Sequence, residues 1–147
     1  MGSIASTLDI GGPAFAENRA AMLGLLEQVR AIEARVAATS AAARPRFEQR
    51  GQLLPRERIA LLLDPGAPFI ELATLAGYGM DSADLERSVP GGGVIAGIGL
   101  VSGVRCMVSA SDSGIDAGAL QAMGLDKQLR VQELALENKL PYLQLVE

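Results

Sequence analysis

The stretch at 90–103, PGGGVIAGIGLVSG, constrains the fold of this chain more than any other, because it places six glycines among aliphatic residues. So many glycines serve either a loop that cradles phosphates or turns and strands in which neighbouring atoms approach closely. A dinucleotide-binding turn requires the spacing GxGxxG between a strand and a helix. Here Gly97, Gly99 and Gly103 have the spacing GxGxxxG, and a second β-rich run follows. The chain also has no GK[ST] sequence, so both nucleotide motifs are excluded.

The β-rich runs at 94–101 and 104–110 are joined by a Ser-Gly pair, an arrangement that predicts a β-hairpin. The glycines at 91–93 are then expected to form a turn into the first strand. Gly97 and Gly99 lie inside that strand, where glycine marks the close approach of another backbone or side chain. The glycines of this stretch therefore indicate tight packing and not phosphate binding.

Helical patterns lie on both sides of this hairpin. Apolar residues at helical spacing from Ala14 to Ala38 predict an amphipathic N-terminal helix that packs on its own domain or on a partner subunit. A second helix is predicted over Met123–Asn138, and a short one at PRERIALLLDPG, where the proline suits the first helical position. PFIELATL and YLQLV are predicted strands. The resulting order of elements predicts an α/β fold.

These patterns divide the chain into a flexible arm at 1–13, a helical region at 14–64 and an incomplete domain at 65–147. The arm is rich in small residues and glycine. The last residues, up to Glu147, fall within an apolar strand, and a sheet strand with nothing after it lacks its partners. We therefore expect the sequence to be a fragment of a longer protein.

The composition removes several classes of active site. The chain has no histidine, which excludes Ser-His-Asp and Cys-His nucleophile pairs and HExxH zinc sites. A single cysteine excludes a disulfide framework and a multi-cysteine metal site within one chain, so we expect no metal. The net charge of −4 argues against general affinity for nucleic acid. No apolar run is long enough for a membrane span, and the lack of a disulfide pair fits a cytoplasmic location.

Three further features each allow two interpretations. The segment from Arg44 to Arg58 contains five arginines and two glutamates, which give it a local net charge of +3. This charge fits either a solvated surface or arginine side chains that bind phosphate groups. Asp112 and Asp116 are more typical of turn caps than of an acid/base pair. Cys106 lies in mid-strand, and without a histidine to activate it we expect an ordinary buried thiol.

Three segments together carry a family resemblance: RGQLLPRERIALLLDPGAPFIELATLAGY, then VPGGGVIAGIGLVSGVRCMVSASDSGIDAGAL, then KQLRVQELALENKLPYLQLV. In this order, they resemble the carboxyltransferase (β) subunits of biotin-dependent acyl-CoA carboxylases, nearest the methylcrotonyl-CoA and geranyl-CoA type. The resemblance covers about residues 44–147. Members of this family are several times longer, so the chain matches the N-terminal part of the first of their two related halves.

The resemblance implies a crotonase-like fold, a superhelix of ββα units, of which this chain would carry a part after its N-terminal helix. It implies a carboxyltransferase that moves a carboxyl group from carboxybiotin to an acyl-CoA, with 3-methylcrotonyl-CoA or geranyl-CoA as the expected type. Biotin would be carried by a biotin carboxylase/biotin carrier (α) subunit, and the β subunits would form homo-oligomers. Biotin would take the substrate proton, while backbone amides stabilise the enolate oxygen by about 3–4 kcal/mol per donor.

By resemblance, the acyl-CoA site lies on the loop SDSGIDAGAL. The family has a pair of glycines here: Gly118 matches the second, and Ala117 replaces the first, although alanine adopts a positive φ only at a cost. The catalytic residues are unknown, because the oxyanion turn expected by resemblance would lie beyond residue 147. The expected acyl-CoA contacts are the backbone groups of Gly114, Ile115, Asp116, Ala117, Gly118 and Ala119. The candidate phosphate contacts are Arg56, Arg58 and Lys127.

Two alternatives to an active carboxyltransferase remain open. In the first, the chain is an inactive truncated subunit or an assembly module whose N-terminal helix packs on a partner. In the second, it is a crotonase-like acyl-CoA hydratase or isomerase, which a requirement for biotin would exclude. We expect the 147-residue chain alone to be inactive.

Overall fold

The computed structural model of the protein describes residues 6–119 and 122–146. The chain divides into two compact units, residues 1–32 and residues 33–147. Residues 1–5 of the predicted arm lie outside the described residues. The elements are α1 (Pro13–Ala41), α2 (Arg44–Gln49), α3 (Pro55–Leu62), β1 (Ile70–Glu71), β2 (Val94–Val101), β3 (Val104–Ser111), a 3-10 turn (Asp116–Gly118), α4 (Ala122–Glu137) and β4 (Tyr142–Leu145).

Helix α1 begins at Pro13, whose fixed φ suits the first helical position. In the first unit, its apolar side chains Met22, Leu25 and Leu26 are exposed to 57%, 56% and 41%. The N-terminal helix predicted from the sequence is confirmed, and it extends to Ala41. Among the residues that the structure describes, no helix is long and apolar enough to cross a membrane.

The four strands form one sheet in the order β1-β2-β3-β4. Strands β2 and β3 are an antiparallel hairpin in which Val101 pairs with Val104 at the turn and Val94 pairs with Ser111 at the open end. Strand β4 pairs in parallel with β3. Helix α4 connects them, as a parallel pair requires. Hairpin and helix together form the ββα unit that the sequence predicts.

Strand β1 has only two residues, whereas the sequence predicts a strand over all of PFIELATL. Pro68 has no N–H to donate to a ladder. After one more hydrogen bond, from Leu72 N–H to Ala96 O at 2.8 Å, the chain turns away because Ala73 adopts φ 49°. The predicted strand was therefore correct in position and wrong in length.

Side chains alternate between the two faces of the sheet along each strand, and a helix packs against the apolar side chains of each face. Cys106 is one of these core side chains and carries a free thiol, as the sequence predicts. The cluster on the face covered by helix α3 consists of Ile59, Ile95, Cys106, Val108 and Ala110. The cluster on the face covered by helix α4 consists of Val94, Ala96, Met107, Val131 and Ala135.

The glycine stretch serves the close packing that the sequence predicts. The glycines at 91–93 all have positive φ, between 64° and 102°, and form the turn into β2. A Cβ atom on Gly97 would lie 2.5 Å from the carbonyl oxygen of Ile70. A Cβ atom on Gly99 would likewise meet the side chain of Leu63. Strand β1 can therefore approach β2 this closely only because Gly97 has no side chain, whereas at Gly99 the nearest neighbour is the end of the flexible Leu63 side chain.

Helix α2 is missing from the sequence prediction, which treats 44–58 as a charged segment with a helix only from Pro55. The helix has six residues, well below the length that is stable by itself in water. Its one buried side chain, Phe47, is 4% exposed. Tertiary burial of this ring, and not the local sequence, therefore accounts for the helix.

Candidate functional site

The loop that follows β3, residues 112–119, is the segment to which the resemblance assigns acyl-CoA. Backbone hydrogen bonds set its path. The N–H of Asp112 donates to Gly93 O at 2.8 Å, that of Ile115 to Asp112 O at 2.9 Å, and that of Gly118 to Ile115 O at 3.0 Å. The amides of Ile115 and Gly118, two of the expected ligand contacts, thus already have acceptors within the loop.

The second half of the loop passes through two left-handed residues. Ala117 has φ 54° and ψ 25°, and Gly118 has φ 85°. A left-handed conformation costs an alanine roughly 1–2 kcal/mol of free energy. Ala117 therefore adopts a backbone conformation typical of glycine and is strained. A Cβ atom on Gly118 would lie 3.3 Å from Cβ of Ser113. Ala117 and Ala119 are exposed, whereas Ile115 is 5% exposed, so this half of the loop faces solvent.

Asp112 is buried at the start of the loop, with 2% of its surface exposed. Its carboxylate accepts a hydrogen bond from the Ser40 hydroxyl at 2.5 Å. Burial raises the pKa of Asp112, and the Ser40 hydroxyl, the charge of Arg56 and the Gly114 amide act in the opposite direction. The bond from the Gly114 amide, two residues along the chain, has the form of a turn cap, the interpretation favoured for Asp112. The side chain of Asp116 lies outside what the structure describes.

Helical residues hold the first half of the loop. Arg46 of α2 donates to the carbonyl oxygen of Ser113 at 2.6 Å. A Cβ atom on Gly114 would lie 2.5 Å from the hydroxyl oxygen of Ser40, so α1 and the loop touch where no side chain would fit. The two helices thereby fix the position from which the exposed half of the loop begins.

Beneath the loop, Lys127 of helix α4 is 4% exposed. Its Nζ donates to the carbonyl oxygens of Val94 at 2.6 Å and Gly91 at 3.4 Å. Burial lowers the pKa of Lys127 to about 8, while the negative charges of Glu71 and Asp112 act in the opposite direction. The ammonium therefore lies in the interior, against the glycine turn.

The three candidate phosphate contacts all have partners within the chain. Arg56 forms a bidentate ion pair with Glu71, at 2.7 and 3.1 Å. Arg58 donates to the carbonyl oxygen of Val146 at 3.4 Å, and Lys127 has the carbonyl partners given above. Their role toward phosphate stays a prediction. Within the described part of the chain, no three His, Cys, Asp or Glu side chains are grouped so that they could hold a metal ion.

A cleft beside the loop was missed by sequence reasoning. The guanidinium of Arg46 lies 5.5 Å from the centre of the Phe47 ring, and Arg50 is exposed. The excess of positive charge at 44–58 was a usable signal for this cleft, but only helix α2 brings these arginines to the loop. The cleft is lined by Arg46, Phe47, Arg50, Gln52, Ser113 and Ala117.

Three comparisons with known proteins show the family and the fold of this chain. Residues 46–147 match the family described as the carboxyl transferase domain. The biotin-dependent 3-methylcrotonyl-coenzyme A carboxylase beta1 subunit of Mycobacterium tuberculosis is 50% identical over 105 residues, which are 71% of this chain and 19% of that protein. The mitochondrial methylcrotonoyl-CoA carboxylase beta chain of Arabidopsis thaliana is 38% identical over 148 residues, which are 100% of this chain and 24% of that protein.

Among solved structures, the beta subunit of Pseudomonas aeruginosa geranyl-CoA carboxylase matches with a TM-score of 0.87 and 54% identity, over 99% of this chain and 27% of that one. The chain thus spans about a fifth to a quarter of the length of the proteins that it matches. Its architecture is a part of the crotonase-like fold, preceded by an N-terminal helix. Because the family match covers more than half of the chain and the fold match nearly all of it, the chain belongs to the carboxyl transferase domain family.

Proposed function

We propose that this chain forms the acyl-CoA side of a carboxyltransferase in a biotin-dependent acyl-CoA carboxylase. The single observation that carries the proposal is the arginine-lined cleft beside the exposed, positive-φ half of loop 112–119. A 3-methylcrotonyl-CoA or geranyl-CoA type of substrate is supported by the names of the relatives. The reaction would form a carbon–carbon bond to the acyl group and break the bond between the carboxyl group and biotin.

The loop and the cleft have separate roles in this proposal. The backbone of the exposed residues Ala117 and Ala119 would contact the thioester end of the ligand, since the amides of Ile115 and Gly118 already donate within the loop. Arg46 and Arg50 would pair with the phosphates of coenzyme A, because guanidinium forks bind phosphate oxygens in a bidentate manner.

The other candidate contacts stay in the proposal as outer phosphate partners, and the structure shows what each would require. Arg56 would have to leave its ion pair with Glu71. Arg58 would add phosphate oxygens to its bond with Val146 O. Lys127 would have to leave the interior, where it is 4% exposed, and give up its bonds to Gly91 O and Val94 O, so it is the least favoured of the three. Arg50 is exposed at the cleft, and Arg46 would add phosphate oxygens to its bond with Ser113 O, so we expect these two arginines to dominate.

Biotin would supply the carboxyl group and accept the proton of the substrate carbon, which suits a chain that has no histidine. We propose that it is carried by a biotin carboxylase/biotin carrier (α) subunit, that the β subunits form homo-oligomers, and that the oxyanion turn lies beyond residue 147. A cytoplasmic location, expected from the lack of a cysteine pair, stays part of the proposal.

The experiment that tests this function compares ligand binding to wild type and to Arg50→Gln. Calorimetric titration with 3-methylcrotonyl-CoA should give a Kd about tenfold weaker for Arg50→Gln, the loss of one charged hydrogen bond. The pantetheine thioester, which lacks the nucleotide phosphates, should bind both proteins equally. Arg105→Gln is the matched control, because it removes the same charge at the other end of the hairpin.

Two results would contradict the proposal. Equal Kd values for wild type and Arg50→Gln with the CoA thioester would show that the cleft does not hold phosphates. No binding of either thioester to folded wild-type chain at millimolar concentration would show that loop 112–119 and the cleft do not form an acyl-CoA site by themselves.

A further inference from the structure

The glycine turn at 91–93 is where the loop, helix α4 and the hairpin meet. The Asp112 N–H donates to Gly93 O at 2.8 Å at one end of loop 112–119. At the other end, a Cβ atom on Gly93 would lie 3.2 Å from the carbonyl oxygen of Ala119. Both ends of the loop therefore rest on Gly93, and a shift of the turn must move the loop.

Helix α4 supports this turn from below by two contacts. A Cβ atom on Gly124 would collide with the carbonyl oxygen of Gly92, so the first turn of the helix lies directly against the glycines. One turn further along, Lys127 donates to Gly91 O and Val94 O, one on each side of the turn. The side chain of Lys127 thus ties the two ends of the turn to one helix.

We propose that Lys127 is a positioning residue, which holds the Gly91–Gly93 turn and thereby sets loop 112–119 in the arrangement that binds acyl-CoA. This inference rests on the proposed function, because it concerns the loop to which that function assigns the ligand. An ammonium at this depth is costly compared with an apolar side chain of similar length. Its contribution is therefore the geometry of the turn and not a gain in stability.

The charge of Lys127 makes this geometry sensitive to pH. The groups that face it are Glu71 on β1, Asp112 in the loop and Arg56 on α3. Burial lowers the pKa of Lys127 to about 8. Above that pH the amine is neutral, and its bonds to the two carbonyl oxygens lose their charge assistance. The terminal phosphate of coenzyme A, whose second pKa is near 6, is almost fully ionised above about pH 7.5, so it does not contribute to a change centred near pH 8.

The test uses the two lysines of the chain, Lys127 and Lys139, as probes. Isotope labelling of lysine gives two side-chain NMR signals, and Lys139→Arg assigns them. From pH 6.5 to 9.5 we expect the Lys127 signal and the amide signals of Ile115 and Gly118 to titrate with one shared midpoint. Over the same range, the Kd for 3-methylcrotonyl-CoA should weaken about fivefold.

Variants separate positioning from a purely structural role. Lys127→Met should abolish the pH dependence of both the loop amides and the Kd. Lys127→Arg, which stays charged at every pH tested, should keep the low-pH affinity at pH 9.5. The titration of the wild type needs no variant, so it decides the matter even if either variant fails to fold.

Loop amides or a Kd that stay constant while Lys127 titrates would overturn the inference, as would an unchanged pH profile in Lys127→Met. Failure of the proposed function gives a different result. In that case the chain binds no acyl-CoA at any pH, while a shared midpoint of the Lys127 and loop signals still supports the positioning role.

Discussion

Two residues, one in the loop at 112–119 and one packed against the turn that supports it, are in states that are unfavourable in free energy. Ala117 has a positive φ, and Lys127 is a buried cation. The first could be anticipated, because the resemblance places a glycine pair here and marks Ala117 as the departure. The second could not, because helical spacing does not distinguish a buried lysine of α4 from a solvated one. The burial follows from the close approach of the helix to the glycine turn.

Lys127 makes the free energy of unfolding depend on pH in the alkaline range. Its folded-state pKa is about 8, against an ordinary value of 10.5, so between these pH values the unfolded chain holds a proton that the folded chain has lost. The free energy of unfolding therefore rises from pH 8 to pH 10.5, by about 3 kcal/mol from this group. Urea unfolding at several pH values should show the rise in wild type and not in Lys127→Met.

The matched control for this measurement is Lys139→Met, which removes an exposed lysine and should keep the rise. The direction of the change in the free energy of unfolding is as informative as its size. A stability that falls across this range relative to Lys127→Met would mean that the charged form is the better accommodated one. That result would contradict the depressed pKa.

At the scale of elements, the sequence predicts what depends on local pattern and misses what depends on distant contacts. The hairpin consists of two β-rich runs joined by a two-residue Ser-Gly turn, and a turn of this length fixes the register, so the pairing could be anticipated. Helix α2 has six residues and one buried side chain, and its position depends on contacts such as that of Arg46 with Ser113. The cleft depends on α2, so the excess of positive charge at 44–58 could not by itself place it beside the loop.

The glycines of β2 allow a prediction about the pairing of β2 with the edge strand β1. In Gly97→Ala the new Cβ atom would meet the rigid carbonyl of Ile70 at 2.5 Å. In Gly99→Ala it would meet the end of the flexible Leu63 side chain, which can move. We expect urea unfolding to show a loss of about 1–3 kcal/mol for Gly97→Ala and a clearly smaller loss for Gly99→Ala.

Hydrogen exchange gives a local readout of the same change. The Leu72 amide, which donates to Ala96 O at 2.8 Å beside β1, should exchange faster in Gly97→Ala and keep its protection in Gly99→Ala. Equal losses of stability in the two variants, with Leu72 protected in both, would show that β1 tolerates a side chain at either position.

At the scale of the whole molecule, the chain offers one side of the proposed site, and by resemblance the oxyanion turn would lie beyond residue 147. We therefore predict no carboxylation of 3-methylcrotonyl-CoA by the 147-residue chain in the presence of a biotin-loaded α subunit. Measurable turnover would contradict this prediction. An inactive chain alone does not separate a carboxyltransferase segment from an assembly module, so a second experiment is needed.

A chimera distinguishes a carboxyltransferase segment from an assembly module. The chain would replace the part of the Pseudomonas aeruginosa geranyl-CoA carboxylase beta subunit that it matches, 27% of that protein at 54% identity. We expect biotin-dependent carboxylation by the chimera and none by its Gly118→Pro variant, because proline cannot adopt the φ of 85° found there. A chimera that assembles with the α subunit and stays inactive would favour the assembly module. Hydration of the acyl-CoA without biotin would favour the hydratase.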